Sequence, residues 1–395
     1  MENEATAAMT TIEDLWAEID SRCPAHEGIK VALESAVGKT ASEPVLAPQD
    51  YPSFDHSAMD GYAFAEIAPG ECRVAAEIAA GATSPLSVSA GECVRILTGA
   101  LLPEGTLCVA RQEECIRDGP TVRLMSGIKL RKGDNMRLKG GIFPARAAIL
   151  GRGACINSGV VALLASLGLA RVCVHRPPVI THIATGNELL APGEQAVPGK
   201  IFDSNGAMIA ALVTERGLEL HRHRIRDIRP ALERLTADFA GDLLLISGGS
   251  GTGDHDHSRG SLERAGFDIH TRRINSRPGK PLIFGTRGAQ VAFGLPGNPL
   301  SHWVCFHAFV SRVITRMLGR PVPVLQHSHC PDWDAQPGDG RRTWTPACWR
   351  VKEGRILAEP LKWEHSGDLS PLARANALLL DEPDPETRLI KTFLL

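Results

Sequence analysis

Over its C-terminal half the chain alternates short apolar runs with segments of helical period. The clearest run is Leu243 to Ser247, LLLIS, which has no interior polar break. It has the length and pattern of a strand buried on both faces of a parallel sheet. Before it, VITHIATG reads as a strand ending at Thr185-Gly186, with Asn187-Glu188 in the loop beyond, and NGAMIAALVTERG as a helix. LELHRHRIRD is strand-like and ends at Asp227, and RPALERLTADFA is helical with Pro230 in its first turn. After it, SLERAG begins another helix. QVAFGLPGNPLS runs as a strand into Pro296-Gly297-Asn298-Pro299, with the helix HWVCFHAFVSRVITRML behind it. Such alternation predicts a parallel sheet with right-handed crossovers, and ligands of such sheets sit beyond the carboxyl ends of the strands.

The N-terminal half has a different period. Thr11 can cap a helix over IEDLWAEID, and residues 26–50 are mixed and read as a link to the next module. In YPSFDHSAMDGYAF, Asp60-Gly61 marks a tight turn and the flanking aromatics suggest strands. From Tyr62 to Leu150, short strands such as ECRVAAEI, ECVRILTG, TLCVARQEE and TVRLMS are broken by glycine and proline, the signature of a compact all-β module. SGVVALLASLGLA is a helix from Ser158 with Gly168 at its end, and Pro177-Pro178 marks a domain boundary. Past residue 320, TWTPACWRV, RILAEPL and LARANALLLDEPD indicate a small C-terminal β-module.

Composition narrows the classes. At 395 residues the chain exceeds one ordinary core. A formal net charge of −2 argues against a nucleic-acid binder that relies on a broad basic surface. Ten scattered cysteines form no C-x-x-C pair, so they read as reduced residues rather than a zinc ribbon or redox site. No apolar run approaches membrane-spanning length and the first residues carry no apolar signal core, which points to a cytoplasmic protein without a membrane partner.

The chemistry gathers where strands end. Ser247 opens into Gly248, Gly249, Gly251 and Gly253, interleaved with Ser250 and Thr252 and followed by Asp254 and Asp256. Glycines let backbone amides approach an anion, and carboxylates beside such a nest call for a divalent cation; Mg²⁺ binds one or two carboxylates and shares phosphate oxygens. The plainer alternative is a flexible surface loop after a core strand. Glu188, Asp227, Asp254 and Asp256 would bind Mg²⁺ and a phosphorylated ligand or act as general acid and base; Asp227 and Asp254 serve equally well as turn or capping residues. His255 and His257 alternate with the aspartates without completing a zinc set. Gly279-Lys280 is followed by Pro281, so there is no P-loop, and no G-x-S-x-G elbow occurs. Arg277-Pro278-Gly279-Lys280-Pro281 instead presents two cations on a rigid turn. Lys132, Asp134, Asn135, Arg137 and Lys139 form an exposed charged loop or hold phosphates.

SFDHSAMDGYA, RILTGALLPEG, IATGNEL, IFDSNG, the SGG loop, RPGKP and GLPGNPLS occur in an order that resembles the molybdopterin molybdenumtransferase family of the MoeA/gephyrin E-domain type. ANALLL extends the resemblance into the C-terminal module. It implies an α/β multidomain fold: a linker domain (11–50 and 143–177), a β-rich domain (51–142), an α/β molybdopterin-binding domain (178–320) and a C-terminal β-barrel (321–395). It implies a homodimer with active sites between subunits, and molybdoenzymes or their chaperones as further partners. The implied reaction takes adenylylated molybdopterin and molybdate with Mg²⁺, cleaves the pyrophosphate link and releases AMP.

By the same resemblance the catalytic set is Asp60, Thr98, Glu188, Asp227 and Asp256, with Asp227 and Asp256 as metal ligands. Substrate contacts fall to Arg137, Thr185, Gly186, Ser247, Gly248 and Gly249, and to Arg277, Lys280, Pro296 and Asn298. Asp60, Thr98 and Arg137 would reach the site from the partner subunit. The chain departs from the family pattern at Arg277, usually lysine, at Gly141-Ile142, often an acidic pair, and in the form of its glycine loop. A diverged paralogue that carries the cofactor without inserting metal, and a nucleotide pyrophosphatase, are the alternative readings.

Overall fold

Four strands run parallel in the order Glu219–Ile225, Val179–Thr185, Leu243–Ser247 and Gln290–Leu295. They belong to a computed structural model that describes residues 9–248, 257–331, 333, 340–365, 367–381, 384 and 386–395. The parallel arrangement is the one the strand–helix alternation implies. Two further strands, Pro281–Arg287 and Asp268–Arg273, extend the sheet antiparallel beyond Gln290–Leu295. The outer one, DIHTRR, is polar and mostly part-exposed, so it carries no apolar run for a pattern search to find.

Leu243, Leu244, Leu245 and Ile246 are fully buried because both faces of the sheet are covered. Leu243 and Leu245 pack with Ile180 and Phe293 against Ile209, Val213 and Phe306. Leu244 and Ile246 point the other way, into a cluster with Ile183, Leu232 and Leu262. Each such side chain contributes roughly 1.5–3 kcal/mol of burial. The flanking helices start at capped ends: Asp203 accepts from the Gly206 amide at 2.7 Å ahead of Ser204–Thr214, and Pro230 opens Arg229–Ala237. Behind Pro296 the expected single helix is Pro299–Cys305 and Ser311–Met317 joined by a π-helical turn, Phe306–Val310.

Asp242 anchors the start of the central strand. Its carboxylate accepts two hydrogen bonds from the Arg176 guanidinium and one from the Val179 amide, all at 2.8 Å. Burial alone would raise this carboxyl, but the Arg176 bonds and the Val179 amide hold it below the usual carboxylate range. A lowered folded-state pKa gives stability that is complete above the unfolded value and is lost as pH falls through the folded one. Asp242→Asn is expected to cost about 2 kcal/mol at pH 7, discounted from a fully buried pair because Arg176 is one-third exposed. Urea unfolding should show that difference shrinking below about pH 4.

The C-terminal segment closes on itself. Arg342–Lys352 pairs with Arg355–Pro360 and with Ala377–Leu380, while Gln326–His329 and Leu389–Leu394 complete a five-stranded ring around Cys330, Ala358, Leu379 and Ile390. The helix Ile12–Arg22, capped by Thr11 as expected, packs its Ile12, Leu15 and Ile19 into the cluster that holds Met317 and Trp344.

Chain contacts divide the molecule into two units, one of residues Lys30–Cys173 and one of the remainder. In the first, a six-stranded sheet has the order Cys108–Arg111, Gly61–Phe64, Glu92–Ile96, Cys72–Ile78, Thr121–Leu124, Cys115–Asp118. Asp60-Gly61 is not a hairpin turn between paired strands. Gly61 begins its strand, and His56–Ser57 pairs instead with Met136–Arg137. Glycine is required there for space: a Cβ at Gly61 would lie 1.8 Å from the Ala110 carbonyl oxygen. All ten cysteines are free thiols, six of them buried.

Candidate active site

The parallel register brings the strand ends level. Thr185 lies opposite Ile225, Ala184 opposite Ser247, and Ser247 opposite Leu295. The next residues of each strand, Gly186, Arg226-Asp227, Gly248 and Pro296-Gly297-Asn298, therefore emerge along one edge. The strand order also reverses between Val179–Thr185 and Leu243–Ser247, where open α/β sheets bind ligands. Ile283 pairs antiparallel with Gly294, which sets Pro281, and with it the Arg277–Lys280 turn, at the same edge.

Side-chain contacts tie these loops together. The Thr185 hydroxyl donates to Asp227 Oδ1 at 3.2 Å, and the Asp227 amide donates to Asn187 Oδ1 at 3.3 Å. Asp227 is half-buried while Glu188 is exposed. Gly248 has φ +92, and a Cβ there would sit 2.3 Å from the Thr185 carbonyl oxygen, so the strand can leave the sheet only through glycine at this point. Ser258, at the start of the following helix, donates to the Gly248 carbonyl at 2.9 Å. Lys280 is exposed at its turn and Arg277 is half-buried. Gly249, Asp254 and Asp256 lie outside the described residues.

In the β-rich unit Asp60 and Thr98 meet directly. Asp60 Oδ1 accepts from the Thr98 hydroxyl and the Thr98 amide, both at 2.7 Å. Those two bonds, the hydroxyl first, hold the exposed Asp60 carboxyl below its ordinary range. Thr98→Val should therefore raise the Asp60 pKa towards the ordinary value without reaching it, since the amide remains; carboxyl ¹³C shifts followed against pH would show it. Arg137 is exposed on the strand that pairs with His56. Three of its polar neighbours are occupied in structure: Asp134 accepts from the Arg131 amide at 2.7 Å, Asn135 donates to the Val109 carbonyl at 2.8 Å, and Lys139 pairs with Asp50.

A cleft of about 400 Å³ opens elsewhere, in the C-terminal barrel between His327, Asp381, Asp384 and Lys391. Its carboxylates are already satisfied, Asp381 by Arg342 and Asp384 by Thr387. None of the candidate site residues lines it.

Residues 6–168 match the family model described as the MoeA N-terminal region (domain I and II), and residues 181–316 match a "Probable molybdopterin binding domain". The molybdopterin molybdenumtransferase of Nostoc sp. is 34% identical over 88% of this chain and 83% of its own length. The chain belongs to the molybdopterin molybdenumtransferase family. The family's enzyme from Bacillus subtilis is 31% identical over 89% of this chain and 85% of its own length. A solved molybdopterin biosynthesis MoeA protein from Pyrococcus horikoshii superposes with a TM-score of 0.79 at 25% identity, over 98% of this chain and all of that one.

Within the family regions, Asp60, Thr98 and Arg137 fall in the MoeA N-terminal match and the sheet-edge residues in the molybdopterin-binding match. Three site neighbours escape a reading of the sequence alone. Asn205 donates to the Gly297 carbonyl at 2.7 Å, bracing the Pro296–Asn298 turn from the helix Ser204–Thr214. Its motif, IFDSNG, was the available signal. His182 and His302 sit inside apolar runs, and although Cys305 and His307 follow His302, nothing in the sequence pairs either histidine with Ser247.

Proposed function

We propose that the chain is an Mg²⁺-dependent, cytoplasmic molybdopterin molybdenumtransferase that takes adenylylated molybdopterin and molybdate and releases AMP with the metal on the dithiolene. The observation that carries this is the level array of Thr185–Asp227, Gly248 and the Pro296–Asn298 turn on one sheet edge of a chain in this family. In this reading Ser247, Gly248 and Gly249 offer backbone donors to phosphate, and Pro296, Asn298, Thr185 and Gly186 shape the walls. Arg277 and Lys280 supply positive charge for phosphate or molybdate, Arg277 as a planar fork rather than a point charge.

Asp227 is a hard oxygen donor already oriented by Thr185, which suits Mg²⁺, and Asp256 would be its second carboxylate. When bound, the ion would neutralise charge building on the pyrophosphate oxygens. Glu188, exposed in the loop that follows Thr185, is the candidate general acid or base. A homodimer would bring Asp60, Thr98 and Arg137 to the site from the other subunit, with the chain divided into the four domains the family resemblance implies. Molybdoenzymes or their chaperones would take the product.

The direct test is AMP release from adenylylated molybdopterin with molybdate, with and without chelation of divalent ions. Release that stops on chelation and returns with Mg²⁺ supports the reading. Tight binding of the nucleotide with no AMP in any condition supports the cofactor carrier, which the Gly141-Ile142 replacement favours.

A further inference from the structure

Beneath the sheet edge two buried histidines flank one hydroxyl. His182, from Val179–Thr185, and His302, from Pro299–Cys305, are 1% and 0% exposed. His182 Nε2 lies 2.6 Å from Ser247 Oγ, and His302 Nε2 lies 3.4 Å from the same oxygen. His302 Nδ1 is 3.1 Å from the Pro296 carbonyl oxygen. A leucine would satisfy the packing at either position without bringing polar nitrogens indoors.

Burial keeps both rings neutral. It pushes His182 down to about 3, with His302 and Arg222 adding to the effect, and His302 down to about 4 against the opposing pull of the Pro296 carbonyl. The proton positions then follow from what each partner is able to do. A carbonyl only accepts, so His302 carries its proton on Nδ1 and its Nε2 is bare. Ser247 gives its one hydroxyl proton to that bare nitrogen, and must accept from His182 Nε2–H. His182 Nε2, Ser247 Oγ, both ring nitrogens of His302 and the Pro296 carbonyl are paired in this arrangement.

The chain links two loops of the site at their roots. Ser247 is the last residue before Gly248, and Pro296 is the last before Gly297-Asn298. We propose that His182 and His302 are positioning residues, which lock the Ser247–Gly248 strand end and the Pro296–Asn298 turn into one fixed geometry through Ser247. The consequence for turnover rests on the transferase reading; the proton arrangement does not.

The test therefore begins without substrate. Full-length protein labelled with [¹⁵N]histidine should show His302 as the Nδ1–H tautomer and His182 as the Nε2–H tautomer. Both should stay neutral down to about pH 5, well below an ordinary imidazole. His302 protonated on Nε2, or either ring titrating near the ordinary value, would overturn the relay even if the enzyme proves to be a transferase. The kinetic arm uses His302→Leu, His182→Leu and His302→Asn. Both leucine variants should raise KM for adenylylated molybdopterin about 10-fold or more with a smaller change in kcat, because misplaced loops weaken binding first. His302→Asn, which keeps a donor for Pro296, should recover part of that loss. Unchanged KM in folded leucine variants would overturn the positioning role, and the tautomer measurement on the unaltered protein decides the matter if they do not fold.

Discussion

Gly248→Ala is expected to cost about 3 kcal/mol or more of stability and to leave AMP release near background. Alanine at φ +92 carries the ordinary left-handed penalty, and its Cβ would meet the Thr185 backbone carbonyl at 2.3 Å. A backbone oxygen inside a paired strand cannot rotate away as a side chain would. The overlap must be relieved by moving Gly248 off the sheet, at a further cost of a few kcal/mol typical of overpacking. Moving Gly248 shifts the start of the loop proposed above to bind the phosphates. Urea unfolding and an AMP assay on the same preparation separate the two effects. A variant of ordinary stability and activity would show that the close approach is not needed.

The second large effect lies at Asp227. Asp227→Ala should lower kcat/KM for AMP release by roughly 10²–10³-fold while the fold stays intact, since the side chain is half-buried and, among the described residues, gives up just the Thr185 bond. Asp227→Asn keeps an oxygen for the Thr185 hydroxyl and removes the charge. If the carboxylate holds a cation, asparagine will be about as poor as alanine, and added Mg²⁺ will restore part of the rate. If its role is only to orient Thr185, asparagine will behave like the unaltered protein. Thermal unfolding of both variants provides the control for folding.

Much of this arrangement is legible in the sequence itself. LLLIS reads as a strand buried on both faces because both faces are covered, and that cover is what removes polar residues from the run. The polar residues that follow each strand then fall on one edge by the geometry of parallel pairing alone. Caps were legible too, since Thr11 and Pro230 act locally. What escaped depends on distant partners. The strand Asp268–Arg273 is held by pairing with Pro281–Arg287 and not by its own polar residues. Gly61 resembles a turn glycine in sequence, but its need for glycine comes from Ala110 on a neighbouring strand. Ring closure in the C-terminal barrel joins Arg342–Lys352 to strands later in the chain, a pairing no local pattern encodes. His182 and His302 are far apart in the sequence and gain meaning only when Ser247 stands between them.

The most direct measurement combines both products of one reaction. The purified protein is incubated with adenylylated molybdopterin, molybdate and Mg²⁺; AMP is quantified, and the metal-loaded cofactor is measured by its ability to activate a cofactor-free molybdoenzyme. The expected result is AMP and active cofactor in equal amounts. AMP without active cofactor, or bound nucleotide with neither product, would contradict the assignment of metal insertion to this site.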